Sequence, residues 1–116
     1  MGFALDRGRA GEALAAAYLE LKGCRLVARN ARLAGVEVDV VVDDGATRVL
    51  VEVRVRTRAD FGGAAATVDR RKQQRLVRAA RALEQQGVSR VRVDVVAVDV
   101  GASGATLTHI RNAVTD

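Results

Sequence analysis

Residues 35–57, GVEVDVVVDDGATRVLVEVRVRT, decide how this chain folds. Two valine-rich runs flank Asp44-Gly45, and each alternates with period two. An Asp-Gly pair between such runs is a strong hairpin signal. Strands are therefore predicted over 36–43 and 48–56. Yet Glu37, Asp39, Glu52 and Arg54 lie inside them. Side chains at i and i+2 of a strand share a face. Glu37 and Asp39 then form one pair, about 7 Å apart, and Glu52, Arg54 and Arg56 form a second set. The turn decides how the sets meet. A two-residue Asp44-Gly45 loop puts Glu37 opposite Glu52, with Asp39 one diagonal away. A four-residue loop puts Asp39 opposite Glu52, and a three-residue loop sends the two to opposite faces. The Asp-Gly signal favours the first.

Like charges opposed across a strand pair repel. Arg54 or Arg56 can offset this by pairing. A divalent cation does so better, because hard oxygen ligands suit Mg²⁺. On the solvated face of an antiparallel sheet, the same charges need no offset at all.

Outward from the hairpin, the elements follow from spacing and punctuation. Ala10, Leu14, Ala17, Tyr18 and Leu21 recur at helical intervals, which predicts a helix over 7–22 with Asp6 as its cap and Gly23 as its stop. A strand over 24–29 follows. After the hairpin, 57–66 form a loop with two glycines, and Thr67 caps a helix over 68–86 that closes at Gly87. Strands over 90–99 and 105–110 complete the order αβββαβ(β). A three-strand meander, a helix and a returning strand imply an α/β fold, with a mixed sheet flanked by helices. The length of 116 residues suits one domain, 1–116, with its core over about 8–114.

Composition narrows the function classes. The net charge is +5, and the nineteen Lys and Arg residues include only two lysines, Lys22 and Lys72. Such a balance suits an anionic partner, nucleic acid first. Aromatic residues are 3% of the chain, which argues against modules that stack bases on rows of rings. The single cysteine, Cys24, excludes an internal disulfide and a cysteine zinc cluster, and reads as a small buried residue. No run reaches the ~18 apolar residues of a membrane span, so a cytoplasmic setting without membrane contact is expected. His109 has no partner in view and reads as a surface residue. Arg92 and Asp94, on the fourth strand, are expected to pair within or beside the sheet.

The stretches GVEVDVV, VLVEVRVRT, FGGAAATVDRRKQQRLVRAARAL, VRVDVVAVD and THIRNAV together resemble the YraN-like family of small bacterial proteins. Gly8, Gly11-Glu12, Ala15 and Tyr18-Leu19 match the opening helix of that family, Arg29-Asn30 its first strand, and Glu37-Val38-Asp39 and Val51-Glu52-Val53-Arg54 its central hairpin. The resemblance spans about 8–114. It implies the restriction-endonuclease-like fold, whose nuclease motif is an Asp on one strand and (Asp/Glu)-x-Lys on the next.

Carried over, Asp39 and Glu52 hold Mg²⁺ (or Mn²⁺) with the Val53 carbonyl, Glu12 is an auxiliary metal ligand, and Glu37 holds an outer-shell water or a second ion. The implied activity is Mg²⁺-dependent DNA endonuclease action, on branched or damaged DNA; an inactive nucleic-acid-binding module on the same fold is the alternative. Cutting both strands would favour a homodimer. The chain departs from the motif at Arg54, since an arginine keeps its proton at any working pH. Lys72, in the first turn of the long helix, is on the stripe facing the sheet and is the candidate for the missing lysine. Arg54 and Lys72 thus join Asp39 and Glu52 as catalytic candidates. Arg56, Arg58, Arg71, Arg75 and Arg78 are candidates for phosphate contacts, which read charge and shape rather than sequence.

Overall fold

The computed structural model describes residues 3–57 and 68–114, with 3–7 as backbone alone. Helix α1 (Phe3–Leu21) is followed by strands β1 (Arg25–Leu33), β2 (Val36–Asp44) and β3 (Thr47–Arg56). Helix α2 (Arg70–Gln85) leads to β4 (Val91–Gly101) and β5 (Gly104–Ile110). The five strands lie in sequence order in one sheet. Every neighbouring pair is antiparallel except β3 and β4, which are parallel. Parallel neighbours need a long crossover, and α2 lies within that connection. The expected α/β order is present, fifth strand included.

Some boundaries differ. Helix α1 begins at Phe3, so Asp6 lies inside the helix and not at its cap. The cap of α2 is Asp69, whose side chain accepts the Lys72 N–H at 2.8 Å; Thr67, the expected cap, lies outside the described residues.

Both faces of the sheet are covered. Against Leu76, Ala79 and Leu83 of α2 pack Val38, Val41, Leu50, Val93, Val95 and Ala97. Against Ala15, Ala16 and Leu19 of α1 pack Val40, Val42, Val49, Val51, Val96 and Val98. Double coverage explains why β4 is buried without a break from Val93 to Val98. Each fully buried Val or Leu contributes about 1.5–3 kcal/mol.

The hairpin turn sits one residue later than Asp-Gly suggests. Asp44 pairs with Thr47, so Gly45-Ala46 form the turn. Gly45 takes φ 60°, the left-handed value that a primed two-residue turn requires at its first position. The register therefore sets Val40 opposite Val51, and the ladder ends there. It carries Asp39, not Glu37, toward Glu52. That is the meeting the sequence assigned to a longer loop.

Strict alternation also fails at Asp39. Val38 and Val41, three residues apart, both face α2. In β1, Ala28 and Ala31 do the same. Between the pairs Arg29↔Val40 and Ala31↔Val38 lie Asn30 and Asp39, and Asn30 is left-handed at φ 52°. Both strands thus twist at one point, and the face of Asp39 cannot be counted from Glu37.

Candidate metal and nucleic-acid site

Glu52 is on the α2 face of β3 and only 2% exposed. Its Oε2 is 3.4 Å from the Lys72 Nζ and 3.5 Å from an Arg54 guanidinium nitrogen. Its Oε1 is buried with no hydrogen-bond partner. Asp39 lies beside it. Where the β2–β3 ladder has ended, the Asp39 carboxylate accepts the Val53 N–H at 2.9 Å, so a side chain takes over from the strand.

Burial pushes the Glu52 carboxyl up to about 7, and the Asp39 charge pushes the same way. Lys72 and Arg54 pull it back. Lys72 and Arg54 together therefore leave the Glu52 carboxyl partly protonated near neutral pH. One more positive charge at the free oxygen would favour its ionised form.

Glu12 reaches the same region from α1. Its carboxyl is raised, first by burial and then by the Asp39 charge, while Asn30 and Arg29 act against the rise. Glu37 adds a smaller upward push on Glu12. Among the described residues, no three or more His, Cys, Asp and Glu side chains gather closely enough to hold one ion. Glu12 and Glu37 are thus electrostatic neighbours of the Asp39–Glu52 pair and do not complete a ligand set with it. Two carboxylates still fit Mg²⁺, which is bound through one or two of them and keeps several waters.

The predicted arginines divide. Arg75 and Arg78 are exposed and, with Arg32, Glu37, Asp39 and Lys72, line a cleft of about 520 Å³. Arg71 is exposed on α2, outside that lining. Arg56 is engaged by both oxygens of Asp99, at 2.7 and 3.0 Å, and helps to bind β3 to β4. Arg58 lies outside the described residues.

His109 is not a surface residue. Its side chain is 4% exposed, with Nε2 2.7 Å from Asp94 and Nδ1 3.3 Å from the Lys22 Nζ. Arg92 does pair with Asp94, at 2.8 and 3.0 Å. The Asn112 N–H donates to the same carboxylate at 2.9 Å. Asp94, fully buried, thus collects donors from β4, β5 and the C-terminal segment. Sequence reading missed this cluster because its partners are 2, 15 and 18 residues apart. The only available signal was an Asp inside a valine run.

Residues 11–98 match the family described as "Uncharacterised protein family UPF0102". A UPF0102 protein of Methylococcus capsulatus is 45% identical over 109 residues, covering 92% of this chain and 89% of the relative. One of Halorhodospira halophila is 48% identical over 94 residues, covering 81% and 78%. Among solved structures, Pyrococcus furiosus SfsA in complex with Ca²⁺ aligns with TM-score 0.45 and 14% identity, covering 97% of this chain and 65% of that one.

Proposed function

The chain belongs to the uncharacterised protein family UPF0102, and we propose that it is a divalent-metal-dependent nuclease of restriction-endonuclease-like architecture. Its substrate in this reading is DNA, branched or damaged, met in the cytoplasm. The observation that carries the reading is the buried Glu52 carboxylate. It has one oxygen between Lys72 and Arg54, the other without a partner, and Asp39 at its side.

Asp39 and Glu52 are the metal ligands in this reading, with the Val53 carbonyl as a further one. A bound Mg²⁺ would offset charge on the phosphate and acidify a water. Lys72, which lines the open cleft, and Arg54 are each about one-third exposed and pair with the same oxygen of the buried carboxylate. From there both can donate to phosphate oxygens and stabilise the charge that develops on them. Arg54 cannot take a proton, so its part is electrostatic. The Asp39 hydrogen bond to Val53 fixes the orientation of that carboxylate before any ligand arrives.

Arg54 is also what favours a second reading, a binding module that keeps the fold without cleavage. The test is nicking of supercoiled, linear and branched DNA in Mg²⁺ or Mn²⁺ by the wild type and by Asp39→Asn and Glu52→Gln. Metal-dependent cleavage lost in both variants supports the nuclease. DNA binding without cleavage on any substrate leaves the module.

A further inference from the structure

We propose that the cleft at the carboxylate pair takes a single, unpaired nucleic-acid strand, held through its phosphates without regard to base sequence. The inference rests on the nuclease reading only in taking the same cleft as the site.

The first support is size. At about 520 Å³ the cleft lies in the range of small-molecule sites, about 300–1,000 Å³. A double helix, whose major groove alone is about 12 Å wide, does not enter such a space. The second support is depth. Of the carboxylate pair, Asp39 lines the cleft and is half-buried, while Glu52 is outside the lining and 2% exposed, so a phosphate that approaches both must descend from the protein surface. Duplex DNA is stiff, with a persistence length of about 50 nm, and stacking holds its backbone in place. One phosphate cannot leave that line alone, whereas an unpaired strand turns freely about its backbone bonds.

The third support is the arrangement of charge. Lys72, Arg75 and Arg78 follow one another along the cleft wall formed by α2, at steps of about 4.5 Å. Arg32 lies across from them, on the β1 side. Glu37 and Asp39 are on the β2 side, and Glu37 repels phosphate there. The anionic strand is therefore driven against α2, with Lys72 nearest the carboxylates and Arg75 and Arg78 beyond it. Among the described residues, the side chains that line the cleft offer a strand charges and no aromatic ring, and such contacts read phosphates rather than bases.

The test is fluorescence anisotropy in EDTA, where binding is read without cleavage. The probes are a labelled single-stranded oligonucleotide and the blunt duplex of the same sequence, titrated with wild type and with Arg75→Ala/Arg78→Ala. Both arginines are exposed, so the variant keeps the fold, which circular dichroism checks. The single strand is expected to bind at least about tenfold more tightly than the duplex. The double variant is expected to weaken single-strand binding about tenfold and to flatten the salt slope by about 1.4, since each phosphate contact contributes about 0.7 on single strands. A duplex bound as tightly as the single strand, or a variant that binds like wild type, overturns the proposal. Tight single-strand binding with no Mg²⁺-dependent cleavage of single-stranded, supercoiled, linear or branched DNA leaves the proposal standing and removes the hydrolytic reading instead.

Discussion

Glu52→Gln should change how stability depends on pH. The Glu52 carboxyl is raised from an ordinary 4.5 to about 7 in the folded chain, by burial first and by Asp39 second. A raised carboxyl makes the folded state bind more protons than the unfolded state between those values. Its contribution is therefore fully present below about pH 4.5 and lost as pH rises through about 7. With these two values the linkage relation gives about 2 kcal/mol more stability at pH 5.5 than at pH 8. Glutamine keeps the shape and has no proton to exchange. Urea unfolding of both proteins at the two pH values, in EDTA, gives the difference directly. Wild type minus variant should show a gain of about 2 kcal/mol on acidification, and saturating Mg²⁺ should abolish it by holding the carboxylate ionised. An identical pH dependence in the two proteins would refute a strained, cation-seeking Glu52.

Other expected outcomes follow from the same contacts. Asp94→Ala leaves Arg92, His109 and the Asn112 N–H without their shared acceptor, and should cost about 3–5 kcal/mol in urea unfolding. Gly11→Ala puts a Cβ into Val55 Cγ2 and should cost about 1–3 kcal/mol despite its better helix propensity; adding Val55→Ala should recover most of the part due to the overlap. If Lys72 takes the place of the motif lysine, Lys72→Ala should lower the cleavage rate about 100-fold. Arg54→Lys should then change it less than about fivefold, both measured under single-turnover conditions.

The hairpin, both helices and the returning strand are legible because each carries its own punctuation. Asp-Gly marks the turn, Gly23 and Gly87 mark the helix ends, and period two marks β2 and β3. Asp44-Gly45 located the turn but misplaced it by one residue, because Gly45 takes the first central position of the turn rather than the second. That single step moves Asp39 rather than Glu37 toward Glu52. The twist at Asn30 and Asp39 was illegible for a different reason. It is produced by two strands together, and neither strand's sequence alone breaks the pattern there. The Lys72 stripe was legible from helical spacing, as was its direction toward the sheet. The Asp94–His109–Lys22 cluster was not, since it joins β4, β5 and the end of α1, which only the folded sheet brings together.

Arg56 shows the same limit in reverse. A cation beside a predicted site reads as a phosphate contact, yet Asp99 lies directly across the parallel ladder from it and holds it with two hydrogen bonds. Charge counted along a sequence does not separate cations facing solvent from those already matched inside the sheet. Arg75 and Arg78 remain in the cleft because α2 presents them beyond the stripe that Leu76 and Ala79 bury.

The most direct measurement is Mn²⁺ binding to the isolated protein, followed by electron paramagnetic resonance as the ion is titrated in at pH 8. One bound ion per chain in the wild type, absent from both Asp39→Asn and Glu52→Gln, is the expected result. Undiminished Mn²⁺ binding in both variants would contradict the assignment of this carboxylate pair as a metal centre.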